Sequence, residues 1–216
     1  MQKQGKIALV LGATGLVGGE LITQLLNHPN YTAVVALVRR PLDLQHPQLR
    51  SEIIDFDQPE ATKIKGDDLF SALGTTLRKA GSKDAQYRVD CTYPAQIGLL
   101  ARQNGVKQYL LVSSMGANAD SANFYLRTKG DLEGKIKAMN FEHFVSVRPS
   151  LLLGERPEFR LGEVIGGTFL RLLAPFTPRK YKGIAASKVA AALIALANQG
   201  GKGVEVVESG ELQQYG

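Results

Sequence analysis

The chain has 216 residues, 44% of them apolar and 21% charged, which is ordinary for one globular domain with a sizeable core. No apolar run approaches the roughly 18 residues that span a bilayer, so no membrane partner is expected. The net charge of +6 comes from dispersed Lys and Arg, with no basic stripe interleaved with aromatics, which argues against nucleic acid and for local anion sites on a solvated surface. The single cysteine, Cys91, cannot form an internal disulfide, and on that ground the chain is expected to be cytoplasmic.

The apolar run Ile7–Leu11 reads as a strand buried on both faces. It is too short for a signal peptide. Gly12-Ala-Thr-Gly15-Leu-Val-Gly18 follows, with a glycine at every third position, and an amphipathic helix then runs from Leu16 to Asn27-His-Pro29. Further strands are expected at Ala33–Val38, Glu52–Asp55, Asp68–Leu73, Gln108–Ser113 and Glu142–Val147. Helices are expected over Asp84–Asn104 and Asn123–Met139. Strands alternating with helices imply an α/β fold, a Rossmann-type doubly wound parallel sheet. The chain reads as a single domain: a cofactor-binding core over 1–150, then a small C-terminal substrate-side segment with a closing helix (Ser187–Asn198) and strand (Gly203–Val207). Gly154–Lys182, with three prolines and Gly166-Gly167, is expected to be a loop-rich part of that segment.

A strand, a glycine loop and a helix in this order place a pyrophosphate on the helix N-terminus. The spacing is G-x-x-G-x-x-G, not the commoner G-x-G-x-x-G, so context carries the reading. Gly12, Thr14, Gly15, Leu16, Val17 and Gly18 are the expected loop contacts. An acid about 20 residues past the glycines selects NAD, and arginine accommodates the extra phosphate of NADP. Here Val38 is followed by Arg39-Arg40. Two guanidinium groups suit a phosphate dianion, so NADP(H) is expected in preference to NAD(H). Asp55-Phe56 is expected to border the adenine, and Leu73-Gly74-Thr75 to let the backbone approach the cofactor.

Tyr125 and Lys129 stand four apart on a helix and share a face. A phenol ordinarily titrates near ~10, and a neighbouring cation stabilises its phenolate. Ser113 and Ser114 end the fifth strand, where open α/β sheets hold their ligands. A serine hydroxyl there could hold a substrate carbonyl oxygen for hydride delivery. His28, His46 and His143 are scattered and show no metal-ligand spacing.

Together the glycine loop, Ser113-Ser114 and Tyr125-x-x-x-Lys129 resemble the short-chain dehydrogenase/reductase superfamily. Leu73-Gly-Thr-Thr76, Lys79-Ala-Gly-Ser82, Val89-Asp90, Ser113-Ser-Met-Gly-Ala117 and Arg148-Pro-Ser-Leu-Leu-Leu-Gly154 resemble, more narrowly, its atypical Tat-interacting-protein-like branch of NAD(P)-binding oxidoreductases. The resemblance implies bound NADP(H), Tyr125 as general acid/base, and Lys129 as the residue that tunes Tyr125 and grips the nicotinamide ribose. It implies Ser114, the second of the pair, as the substrate orienter. The expected activity is hydride transfer between nicotinamide and a small carbonyl or alcohol. The alternatives are an NADP(H)-sensing regulator that binds a protein partner without turnover, and an epimerase that retains its cofactor. The serine-to-tyrosine segment is short beside that of the sugar-nucleotide epimerases, and Asp90 gets no catalytic role.

Overall fold

The structure, a computed structural model, describes residues 5–153 and 182–215. The expected loop-rich stretch therefore lies outside the described residues from position 154 to 181. Among the described residues one seven-stranded sheet contains β1 (Lys6–Leu11), β2 (Tyr31–Val38), β3 (Leu49–Ile53), β4 (Asp68–Ser71), β5 (Gln108–Val112), β6 (His143–Arg148) and β9 (Gly203–Glu208). The order is β3-β2-β1-β4-β5-β6-β9, and every neighbouring pair is parallel. Two-residue strands β7 (Leu152–Leu153) and β8 (Ile184–Ala185) pair separately. The helices are α1 (Leu16–Leu26), α2 (Leu77–Ala80), α3 (Lys83–Tyr87), α4 (Tyr93–Gln103), α5 (Phe124–Ala138), α6 (Ala186–Asn198) and α7 (Ser209–Leu212). This is a Rossmann-type α/β fold.

Alternation along the strands divides the core into two layers. In β1, Ala8 and Val10 face one side with Val34 and Ala36, where Leu21 and Leu25 of α1 and Val189 and Leu193 of α6 cover them. Leu9 and Leu11 face the other side with Val35 and Leu37, under Ile97 of α4 and Ile136 of α5. All these side chains are buried. Each Val, Leu or Ile among them contributes roughly 1.5–3 kcal/mol relative to exposure, which is why the central strands read as unbroken apolar runs.

Several local expectations are corrected. The third strand is Leu49–Ile53, not Glu52–Asp55, although Ile54 still donates to the Val38 carbonyl. It is an edge strand and lacks the apolar run that marks β1 and β2. The helix expected over Asp84–Asn104 is divided: α3, a π-helical turn at Arg88–Thr92, then α4. Pro94 has no N–H to give the carbonyl four residues back, that of Asp90, and the chain widens around the gap. Two short caps went unread: Thr76 Oγ1 accepts from Lys79 N at 3.3 Å, and Ser82 Oγ accepts from Ala85 N at 3.1 Å.

The amino ends of five strands carry a polar belt. Asp68, the first residue of β4, is buried. It accepts from Tyr31 Oη at 2.6 Å, Lys6 Nζ at 3.0 Å and Gln108 Nε2 at 2.8 Å. Those three residues begin β2, β1 and β5. Gln108 also meets His143, the first residue of β6, at 3.0 Å. Burial, and then the Asp68 carboxylate, push the Tyr31 phenol up, so it stays a neutral donor. Lys6 and Gln108 both donate to the Ala197 carbonyl, fixing the carboxyl end of α6 beneath the sheet.

A second polar cluster holds α5 against the sheet. Arg148, at the end of β6, donates to Glu133 of α5 at 3.0 Å from Nε and 2.6 Å from Nη2, and to Glu208 of β9 at 3.1 Å. Ser146 Oγ donates to Glu133 at 2.7 Å. Ser113 Oγ lies close enough to favour the charged carboxylate, but its geometry falls short of a hydrogen bond. Burial pushes the Glu133 carboxyl up, yet Arg148 and the hydroxyls outweigh it and hold it below its ordinary value of 4.5. The unfolded chain therefore takes up this proton first as pH falls. The stabilisation is complete above pH 4.5 and is lost as pH drops through the lower folded value. We predict that Glu133→Gln costs about 2 kcal/mol at pH 7, and that chemical denaturation finds this gap closing below pH 4.5. A gap independent of pH would contradict the assignment.

Candidate functional site

Every strand of the sheet points the same way, so all the carboxyl ends lie on one edge. The strand order reverses between β1 and β4, which opens a crevice there. The glycine loop fills the β1 side of it. Gly12 has φ +88°, a conformation that disfavours any side chain. A Cβ at Gly12 would also lie 2.6 Å from the Ala72 carbonyl and the Leu73 amide of the β4 end. A Cβ at Gly18 would strike the Gly12 backbone. Both glycines are thus required by close backbone approach, one between strands and one between helix and loop.

Gly15 N donates to Gly12 O at 2.9 Å, and Gly19 N to Gly15 O at 2.8 Å. Helix geometry leaves the amides of Leu16, Val17 and Gly18 without intrahelical acceptors. The N-cap Gly15 has an extended backbone and no capping side chain, and the first turn carries no acid. Thr14 is exposed at the loop tip, while Val17 anchors the helix in the core. A small-residue loop, partnerless amides and a positive helix end fit a pyrophosphate.

Arg39 and Arg40 follow β2 directly, beside the β1 loop, and both are exposed. Neither is held by a hydrogen bond or ion pair to a described residue. Asp55 is exposed beyond the end of β3, where its Oδ1 accepts from Asp57 N at 3.0 Å. Phe56, the other residue expected at the adenine, has its ring buried in the core with its centroid 5.5 Å from that of Tyr93.

On the β4 side, Leu73, Gly74 and Thr75 leave the strand end toward the crevice. A Cβ on Gly74 would lie 3.9 Å from Lys129 Nζ and 3.6 Å from Asp90 Oδ1. Lys129 is buried and donates to the Val112 carbonyl at 3.3 Å. Its ammonium therefore spans from the end of β5 to the loop after β4. Thr75 N donates to Asp90 Oδ1 at 2.6 Å. Asp90 stands out in the sequence only as part of the Val89-Asp90 stretch and by Pro94 four residues on, and neither assigns it a role here.

Ser114 and Tyr125 line one cavity of about 230 Å³ at the carboxyl ends of β5 and β6, with Met115, Pro149, Ser150 and Leu151. Ser114 is half-buried, and its hydroxyl donates to the Met115 carbonyl at a long 3.5 Å. Ser113 also borders this cavity, but its hydroxyl is buried beside Glu133. Tyr125 stands in the first turn of α5, which Asn123 caps by accepting from Leu126 N at 3.2 Å. A larger groove of about 460 Å³ lies along a different face of α5, against the β9 edge. Its floor is the paired Glu133–Arg148 cluster, far from the glycine loop, so it is not the site.

A family model described as NAD(P)H-binding matches residues 12–200. The chain is 32% identical over 219 aligned positions to protein HTATIP2 of Rattus norvegicus, covering 99% of this chain and 90% of that protein. It is 36% identical over 153 positions to the mitochondrial protein FMP52 of Saccharomyces cerevisiae, covering 68% of this chain and 66% of the yeast protein. Among solved structures, an oxidoreductase of the short-chain dehydrogenase/reductase family from Burkholderia thailandensis superposes with a TM-score of 0.72 at 19% identity, covering 98% of this chain and 94% of that one. MoeE5 in complex with UDP-glucose and NAD gives 0.70 at 21% identity, covering 92% and 74%. These two likenesses are of fold. The relatives overturn the expected cytoplasmic placement, because the FMP52 proteins of S. cerevisiae and Candida albicans are named mitochondrial. A lone buried cysteine reports that no internal disulfide forms, and it does not choose a compartment. From this match and the crevice that fits it, the chain belongs to the NAD(P)H-binding family, in its atypical branch akin to the short-chain dehydrogenases and reductases.

Proposed function

We propose that the protein is an NADP(H)-dependent oxidoreductase acting on a small carbonyl or alcohol. One observation carries the reading. Ser114 and Tyr125 share a cavity at the end of β5, while Lys129, one helical turn beyond Tyr125, reaches the loop that ends β4.

The glycine loop fits a dinucleotide, because it ends on a helix N-terminus with no capping side chain and no acid in its first turn. When bound, NADPH supplies a hydride to a carbonyl carbon. Leu16, Val17 and Gly18 would hold the pyrophosphate through their backbone amides. Arg39 and Arg40 would pair with the 2′-phosphate. Lys129 would grip the nicotinamide ribose and stabilise a phenolate one turn away. Ser114 donates a hydrogen bond to the substrate oxygen and fixes its distance from Tyr125. Tyr125 gives that oxygen its proton in reduction and takes it back in oxidation. The described wall of the cavity is hydroxyl and apolar, without a charged side chain, which favours a small uncharged substrate.

Removing the phenol oxygen removes the proton donor and leaves the cofactor loops untouched. Tyr125→Phe is expected to lower kcat by about 10²- to 10⁴-fold while the NADPH dissociation constant, read by nicotinamide fluorescence, stays within about twofold. Turnover retained in that variant removes Tyr125 from the mechanism. The double change Arg39→Ala and Arg40→Ala is expected to weaken NADPH about 10- to 100-fold and leave NADH unchanged. Equal losses for both nucleotides would overturn the NADP(H) preference. Binding of NADPH with no turnover across a panel of small aldehydes, ketones and alcohols would overturn the enzymatic reading.

A further inference from the structure

Asp90 lies in the π-helical turn between α3 and α4 and is fully buried. Taking a carboxylate out of water costs several kcal/mol unless partners compensate, and an apolar side chain of similar size usually does as well for stability. Asp90 is therefore an expensive way to pack a helix against a sheet. Its partners show where the expense is directed. Oδ1 accepts from the Thr75 amide at 2.6 Å, short for an N–H donor and typical of a charged acceptor. Oδ2 accepts from Gln86 at 3.5 Å. Oδ1 and the Lys129 ammonium both end within 4 Å of the point a Gly74 Cβ would occupy, so the two charges are at most about 7.5 Å apart. Both side chains are buried.

We infer that Asp90 is a positioning residue for the nicotinamide nucleotide. Its carboxylate oxygen accepts from the Thr75 amide and so fixes the Gly74–Thr75 backbone at the end of β4. The inference rests on the reading of this crevice as a nucleotide site.

The local chain supports the assignment. Turns of π-helix are uncommon and concentrate at functional sites. This one follows from Pro94, which cannot donate to the Asp90 carbonyl. Gly74 supplies the complementary feature. The carboxylate and the ammonium both lie on the side of the loop that a Gly74 Cβ would take, and Gly74 itself is exposed. Asp90 touches neither substrate nor reacting atoms in this arrangement; it acts through the loop.

The test compares Asp90→Ala with Asp90→Asn, which keeps an acceptor oxygen, at a temperature where each variant without nucleotide is fully folded by circular dichroism. Dissociation constants for NADPH and NADH are read by fluorescence titration. Asp90→Ala is expected to weaken both nucleotides about tenfold or more and by the same factor, because Arg39 and Arg40 are untouched. Asp90→Asn is expected to return both to within about threefold of the unchanged protein. A folded Asp90→Ala protein that binds within about twofold of the unchanged one overturns the assignment, and so does an Asp90→Asn protein as impaired as Asp90→Ala. If Asp90→Ala does not fold, Asp90→Ser, whose hydroxyl is too short to reach Thr75, takes its place with the same expectations. The unchanged protein separates the two claims: NADPH binding without turnover removes the oxidoreductase reading and leaves Asp90 to be judged by binding, whereas failure to bind either nucleotide removes both.

Discussion

Every strand in the seven-stranded sheet runs in one direction, and the rest of the molecule follows from that constraint. Parallel neighbours cannot be joined by tight turns, so each connection must cross back over a face of the sheet. The crossovers cover both faces, which makes the central strands apolar throughout. They also gather the loops that leave the carboxyl ends on one edge. The glycine loop after β1, Arg39-Arg40 after β2, Gly74-Thr75 after β4 and Ser113-Ser114 after β5 are neighbours for this reason, although up to about a hundred residues separate them.

The two edges of the sheet do different work. At the amino edge the polar groups satisfy one another: Asp68 takes three donors, and Gln108 connects that carboxylate to His143. At the carboxyl edge the polar groups are held from behind and presented outward. Asp90 holds Thr75, Val112 O holds Lys129, and the Glu133–Arg148 pair seats the helix that carries Tyr125. Ser150 Oγ donates to the Lys182 carbonyl at 2.5 Å, and β7 pairs with β8, so the described residues on either side of positions 154–181 are tied together.

Features encoded by contiguous residues were legible in the sequence. Ile7–Leu11 and Ala33–Val38 announce buried strands, the Gly12–Gly18 spacing announces the tight turn from β1 into α1, and Tyr125 to Lys129 is one helical turn. The failures have physical causes. β3 reads LRSEI because an edge strand needs no unbroken apolar run, so its register could not be read. The π-turn depends on one missing N–H at Pro94 inside an otherwise helical pattern. Asp90 looks like any helical acid until Thr75, 15 residues away, is placed against it.

The central claim is that the carboxyl edge of this sheet binds NADP(H) across the β1/β4 crevice, within reach of Tyr125. Hydrogen exchange of the protein with and without NADPH tests it most directly, because it reports every amide at once. NADPH is expected to slow exchange in the Gly12–Gly19 loop, in Arg39-Arg40, in the Leu73–Thr76 segment and in the first turns of α5, and to leave the amino edge around Asp68 unchanged. Protection confined to other surfaces, or none at saturating NADPH, would contradict it.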